Sequence, residues 1–311
     1  MDEPHPLRQR LAADDPVLLD GGFSTTLEAG GYDLGGALWS ARALLDAPDA
    51  VRAVHAAFLA AGAEVITTAS YQLAAHSLAA AGYDPDLAPW LFARSVALAR
   101  DAVTAHLEAG GHPALVAGSV GPYGAVLADG SEYRGGYDLD VDALAVFHAP
   151  RIAALVAAGA DVLACETVPC ADEVLALARV LDGCGTPAWV TVTLGPSGRT
   201  TAEGQPLRAA LRPLTAVAEV VAIGVNCCPP ALVEPASAEL ADLGLPLVAQ
   251  PNVGDRWDAT ARTWIRLAEG PLPDPRRWVA AGARLVGGCC GTGPADLTRL
   301  ARQVRLPGTA G

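Results

Sequence analysis

Eight short apolar runs recur along the chain: Val17–Asp20, Glu64–Thr68, Ala114–Ser119, Val162–Glu166, Ala188–Leu194, Val220–Val225, Pro246–Gln250 and Arg284–Gly288. Most are continuously hydrophobic and do not alternate with polar residues. Such runs suit parallel strands covered on both faces. The stretches between them carry helical signals. Val51, Val54, Phe58 and Ala61 repeat at helical spacing, and Gly62 stops that helix. Asp46-Ala47-Pro48 opens it, with Asp46 as the cap and Pro48 in the first turn.

A phrase returns at three helix-to-strand junctions: Ala61-Gly62-Ala63-Glu64-Val65, Ala158-Gly159-Ala160-Asp161-Val162 and Ala281-Gly282-Ala283-Arg284-Leu285. Glycine just past a helix end, then a hydrophobic run, is the chemistry of an αβ turn. The gaps between copies are unequal, which rules out a solenoid repeat. Pro150 is expected to kink or split the helix predicted over Ala143–Ala158. The insert from Pro122 to Asp142 reads as an extended loop. Eight βα units with no dividing linker predict one α/β domain over residues 1–311, a single (β/α)8 TIM barrel. A doubly wound open sheet is the rival that strand counting leaves open.

Composition narrows the chemistry. The formal net charge of −13 leaves no basic footprint for nucleic acid. No 18-residue apolar run lacks a charge, so no membrane span is expected. The amino terminus carries no basic segment ahead of an apolar one, and seven cysteines then suggest a reducing, cytoplasmic setting. There, grouped thiols point to metal or catalysis. All 21 basic residues are Arg, which excludes lysine Schiff-base chemistry. None of the six histidines lies at a predicted strand end, which counts against a His/Asp metallohydrolase on this fold.

Cysteine placement is the strongest local signal. Gly224-Val225-Asn226-Cys227-Cys228 follows the sixth run, and Gly287-Gly288-Cys289-Cys290-Gly291 follows the eighth. Both belong at carboxyl strand ends, the face where barrel active sites form. Neighbouring side chains on a regular strand point to opposite faces, so Cys289 and Cys290 need a break in the strand. Gly288 and Gly291 supply the backbone freedom for one. Three thiolates suit zinc, which takes four ligands and would leave one position for substrate. A thiol entering that position would lose its proton. Spacing alone does not separate Cys227 from Cys228; Cys165, Cys170 and Cys184 read as buried core residues.

At these residues the chain resembles the homocysteine S-methyltransferase family. The resemblance runs through Asp20-Gly21-Gly22, Leu38-Trp39-Ser40-Ala41, Thr67-Thr68-Ala69-Ser70-Tyr71-Gln72 and Gly118-Ser119-Val120-Gly121-Pro122-Tyr123-Gly124. It continues through Glu166-Thr167-Val168-Pro169, Gly224-Val225-Asn226-Cys227, Gln250-Pro251-Asn252 and Gly287-Gly288-Cys289-Cys290-Gly291-Thr292. It implies a barrel with a three-Cys zinc site at Cys227, Cys289 and Cys290. Glu166 would contact the amino group of homocysteine, with Asp20 and Gly21 lining the same pocket. The resemblance is closest to the S-methylmethionine-using branch. The expected reaction is methyl transfer from S-methylmethionine, or S-adenosylmethionine, to a zinc-bound homocysteine thiolate, giving methionine. Val253-Gly254-Asp255 departs from the pattern, which has a small polar residue and often Glu there.

Other assignments keep two readings. Trp39 and Tyr71 can face a sulfonium through cation–π contact, or pack in the core. Asn226 can orient Cys227 or fill a turn. Asn252 can meet substrate or shape a turn, and Asp20 can fix the turn at Gly21-Gly22. The rival functions are betaine-dependent transfer, a selenohomocysteine-type acceptor, and a non-catalytic zinc or redox-sensing protein.

Overall fold

The computed structural model describes residues 5–13, 15–35, 38–254, 256–258, 263–265 and 272–305. Each of the eight apolar runs coincides with a strand to within two residues at each end: β1 (Val17–Leu18), β2 (Val65–Thr67), β3 (Leu115–Val120), β4 (Val162–Val168), β5 (Ala188–Val192), β6 (Val220–Asn226), β7 (Leu247–Gln250) and β10 (Ala283–Val286). They form one sheet in the order β1-β10-β7-β6-β5-β4-β3-β2, and every neighbouring pair is parallel. A parallel bridge between Leu19 and Val65 brings the first strand back to the second. That return makes the sheet a (β/α)8 barrel and removes the open-sheet alternative.

Side-chain parity explains the unbroken hydrophobic runs. Val17 and Leu19, Val65, Leu115 and Ala117, Val162 and Ala164, Trp189, Val248 and Leu285 fill the barrel interior. Leu7, from the opening helix Pro6–Leu11, joins this cluster. The intervening residues Leu18, Ile66, Val116, Leu163, Val190 and Ala249 pack outward in the larger core shared with the helices. Both faces are therefore apolar. Gly62, Gly159 and Gly282, the three junction glycines, take φ of +108°, +79° and +102°. Glycine accepts that conformation without a Cβ clash.

Several local expectations needed tertiary context. Asp46 does not cap the helix Pro48–Ala60; Ala47 holds that position with no side-chain bond. Asp46 instead ends a short helix, Ala43–Asp46, and its carboxylate takes the Tyr32 hydroxyl (2.6 Å) and Arg42 (3.4 Å). Pro150 does not split its helix, which runs unbroken over Val141–Ala157. The carbonyl that Pro150 cannot serve belongs to Val146, which is 76% exposed and open to water. The insert after β3 is not all loop: it folds a helix at Tyr123–Leu127 and a 3-10 turn at Ser131–Tyr133. An antiparallel hairpin, β8 (Arg256–Asp258) with β9 (Thr263–Ile265), stands between β7 and β10. Its strands of three residues are too short to leave a period in the sequence. Among the described residues, no helix is long and apolar enough to cross a membrane.

Candidate active site

Inward positions turn polar toward the carboxyl ends of the strands. Val65 gives way to Thr67, Ala117 to Ser119, Ala164 to Glu166 and Val248 to Gln250. The barrel is thus plugged by apolar side chains below and lined by polar ones at the mouth.

Cys227 follows β6 directly, with its N–H donating to the Gln250 carbonyl at 3.0 Å. Its φ is +47°. A non-glycine residue there is strained by about 1 kcal/mol or more, and such strain concentrates at functional sites. Four described non-glycine residues have positive φ, and three of them, Trp39, Thr167 and Cys227, line one cleft at this mouth.

Cys289 and Cys290 lie beyond the end of β10, so strand parity no longer applies to them. Gly291, at φ +80°, makes the turn that the sequence required. Gly288 serves differently: a Cβ there would sit 2.2 Å from the Thr292 side chain. Gly22 admits the turn from the other side, since its Cβ would meet the Cys289 carbonyl oxygen at 2.7 Å. The Sγ atoms of Cys227, Cys289 and Cys290 lie within 4.8 Å of one another, with Cys227 and Cys290 at 3.5 Å. Tetrahedral thiolate ligands at ~2.3 Å from zinc stand about 3.8 Å apart. The donor set and its spacing fit such an ion.

Hydrogen bonding with Cys289 and Cys290, and then with Tyr133, holds the Cys227 thiol well below the ordinary thiol range. The Tyr133 hydroxyl stands 3.4 Å from the Cys227 sulfur. Cys165 and Cys228 pack in the outer core, where burial pushes their thiols up. Cys170 is buried as well, and Cys184 is half-buried.

Glu166 reaches the same cleft from β4. The Ser119 hydroxyl donates to its Oε1 at 2.5 Å. Burial raises its pKa to about 7, against the Ser119 bond, with help from the negative charge of Asp20 and Cys227. Beside it the β4–β5 register slips between Cys165 and Val168, and Thr167 takes φ +62°. Asn226 pins that irregularity: its Oδ1 accepts the Thr167 N–H (2.7 Å) and its Nδ2 donates to Thr167 Oγ1 (2.8 Å). The Asn226 amide therefore grips the residue next to Glu166, and it meets Cys227 only through the chain.

Asp20 stands behind the lining. Its Oδ2 accepts the Thr67 N–H (2.7 Å) and hydroxyl (2.9 Å), while Oδ1 has no partner. Burial raises its pKa from 3.8 to about 7, the Thr67 bonds opposing. The folded chain thus holds this proton more tightly than the unfolded one. Stability from this group is complete below the lower value and declines as pH rises toward the upper one. Asp20→Asn is expected to flatten that decline, with a gain on the order of 1–2 kcal/mol at about pH 8 after the new unpaired N–H is counted. Denaturation of both proteins between about pH 5 and about pH 8 checks this; equal slopes would refute it.

Gly21 lines the cleft, and a Cβ on it would meet the Thr292 carbonyl oxygen at 2.5 Å. Trp39 and Tyr71 line it too. Asn252 is not in the lining; its side chain accepts the Gly254 N–H at 2.8 Å and its own N–H bonds the Cys228 carbonyl, a turn role. Sequence reasoning passed over Glu132 and Tyr133, which also line the cleft. Their signal was an acid and an aromatic inside a long loop at the catalytic face.

The barrel's mouth thus gathers three thiols that could hold a metal ion, beside the half-buried carboxylate of Glu166, an arrangement of the kind found in barrel enzymes. The description "Homocysteine S-methyltransferase" attaches to the family model that matches residues 17–304. Homocysteine S-methyltransferase of Escherichia coli (strain K12) is 46% identical over 312 residues, covering 96% of this chain and 99% of that protein. Homocysteine S-methyltransferase YbgG of Bacillus subtilis (strain 168) is 38% identical, covering 97% and 98%. Selenocysteine Se-methyltransferase of Brassica oleracea var. italica is 34% identical, covering 93% and 88%. The crystal structure of the E. coli homocysteine methyltransferase MmuM in its metallated form superposes with a TM-score of 0.86 at 44% identity, covering 96% and 99%. The chain belongs to the homocysteine S-methyltransferase family. It is an enzyme of that family, with homocysteine methyltransferase activity.

Proposed function

We propose that the enzyme transfers a methyl group from S-methylmethionine, with S-adenosylmethionine as a second donor, to homocysteine, using zinc held by Cys227, Cys289 and Cys290. The observation that carries this reading is the approach of those sulfurs to within 4.8 Å of one another in the cleft lining. A metallated form of the E. coli relative supports it. When bound there, zinc supplies a soft cation that lowers the pKa of an incoming thiol and keeps one position free.

The chain's own residues do the rest. Glu166, steadied by Ser119, accepts the α-ammonium of homocysteine and so aims its sulfur at the cluster. Asn226 keeps Glu166 in place through Thr167. Trp39 and Tyr71 present ring faces to the positively charged sulfonium. The homocysteine sulfur, its proton lost, attacks the methyl carbon in line. The new C–S bond forms as the old one breaks, and the donor's sulfur departs as a neutral thioether. With S-methylmethionine both products are methionine. Positioning of two reactants accounts for much of the rate.

Turnover of homocysteine with S-methylmethionine, S-adenosylmethionine and betaine, together with metal analysis, tests this reading. Methionine formation with the two sulfonium donors and about one zinc per chain is the expected result. Turnover with betaine alone, or full activity in metal-free protein, would overturn it.

A further inference from the structure

The cleft is electrostatically one-sided. Glu132 and Glu166 line it beside the three thiols, Asp20 lies just behind, and no Arg or His lines it among the described residues. Glu166 has a function under the proposal above, which leaves Glu132 unexplained.

Glu132 is 4% exposed, and its Oε2 is buried without a partner. The turn that carries it is built rigidly. Gly130 enters at φ +82°, and the Asp129 carboxylate accepts both the Ser131 N–H (2.9 Å) and hydroxyl (2.5 Å). Helix Tyr123–Leu127 packs against the turn so closely that a Cβ on Gly124 would lie 2.4 Å from the Glu132 nitrogen. One residue on, Tyr133 reaches the Cys227 sulfur at 3.4 Å. Arg134, the nearest cation in sequence, is solvent-exposed and its guanidinium is turned to Asp129, at 4.0 Å. The turn therefore fixes a carboxylate inside the cleft and leaves it only the distant, solvent-exposed charge of Arg134 to oppose its own.

An ionised carboxylate buried this way costs several kcal/mol unless a cation joins it. Its neighbours specify which cation. Tyr71 and Tyr133 both feel the Glu132 charge, and Tyr71 lines the same cleft. Aromatic faces next to a carboxylate suit a weakly hydrated, methyl-bearing cation better than a strongly hydrated ammonium.

We infer that Glu132 is the specificity-determining residue for the methyl donor, its carboxylate complementing the positive sulfur of a sulfonium. This rests on the sulfonium-donor reading above, and it adds the residue that would reject uncharged analogues. It also leaves Glu166 alone as the partner of the homocysteine ammonium.

The test measures binding to the metal-loaded enzyme by calorimetry. The probes are S-methylmethionine and 2-amino-5-methylhexanoic acid, in which carbon replaces the charged sulfur at nearly equal shape. Wild type is expected to prefer the sulfonium by roughly tenfold or more, a range set by a buried charge contact. Glu132→Gln, which keeps the size, should cut that preference by about tenfold and leave homocysteine affinity in place. Glu132→Asp should restore part of the preference. Overturning results are an unchanged preference in Glu132→Gln, no preference in wild type, or loss of homocysteine affinity in step with that of the donor. Absence of turnover with S-methylmethionine in wild type would sink the donor assignment alone, because the preference is read from binding.

Discussion

Cys289→Ser is expected to empty the metal centre and stop turnover while leaving the barrel folded. Cys289 is placed by its N–H to the Pro251 carbonyl (2.8 Å) and by the Thr292 N–H to its own carbonyl (3.0 Å). Both bonds are backbone bonds, so the substitution keeps the turn. Serine loses only the soft, easily ionised donor. A hydroxyl is a poor replacement for thiolate at zinc, and loss of metal removes several kcal/mol of activation. The expected fall in kcat/KM is on the order of 10³-fold or more, with zinc well below about one per chain. Cys228→Ser is the control. Its sulfur sits in the outer core, away from the cluster, so metal content should hold even if stability drops. Zinc analysis and steady-state kinetics on both variants decide the matter. Full zinc content in Cys289→Ser, or metal loss only in Cys228→Ser, would contradict the ligand set.

Glu166→Gln should raise the demand for homocysteine without disturbing the metal. The amide can still accept from Ser119, so the side chain keeps its place in β4. What vanishes is the charge proposed to face the substrate ammonium. Losing one partner of a buried charged contact costs about 2–4 kcal/mol, or on the order of 10²-fold in kcat/KM. Because burial holds the Glu166 pKa at about 7, wild-type affinity for homocysteine should rise more steeply between about pH 6 and about pH 8 than that of the variant, which keeps only the rise from ionisation of the thiol itself. A comparison with 4-mercaptobutyrate, which has no amino group, isolates the contact. The penalty of the substitution should disappear on that thiol. An equal penalty on both thiols would show that Glu166 acts on something other than the ammonium.

The route from sequence to site was uneven for physical reasons. Cys227, Cys289 and Cys290 were legible because each follows an apolar run that could only be a strand, and barrel chemistry gathers where strands end. Glu166 was legible by the same logic, as the polar end of an inward-facing row. Asn226 and Asn252 were not, because an amide can serve turn, neighbour or ligand with the same two groups. Only neighbours in space choose among these, and Thr167 and Gly254 are those neighbours. Glu132 and Tyr133 stayed hidden inside an irregular insert, where no period says which side chain faces inward.

Local order along the chain was enough to determine eight buried strands, the helices between them, the negative balance of charge and the positions of the thiols. These depend on neighbours a few residues apart, which the sequence displays directly. Closure of the barrel through Leu19 and Val65, and the meeting of sulfurs 63 residues apart, were decided by the folded chain. Those contacts turn on strand register and on unusual dihedrals at two non-glycine residues, Cys227 and Thr167. Such angles are held by long-range packing and hydrogen bonds, so no local pattern announces them.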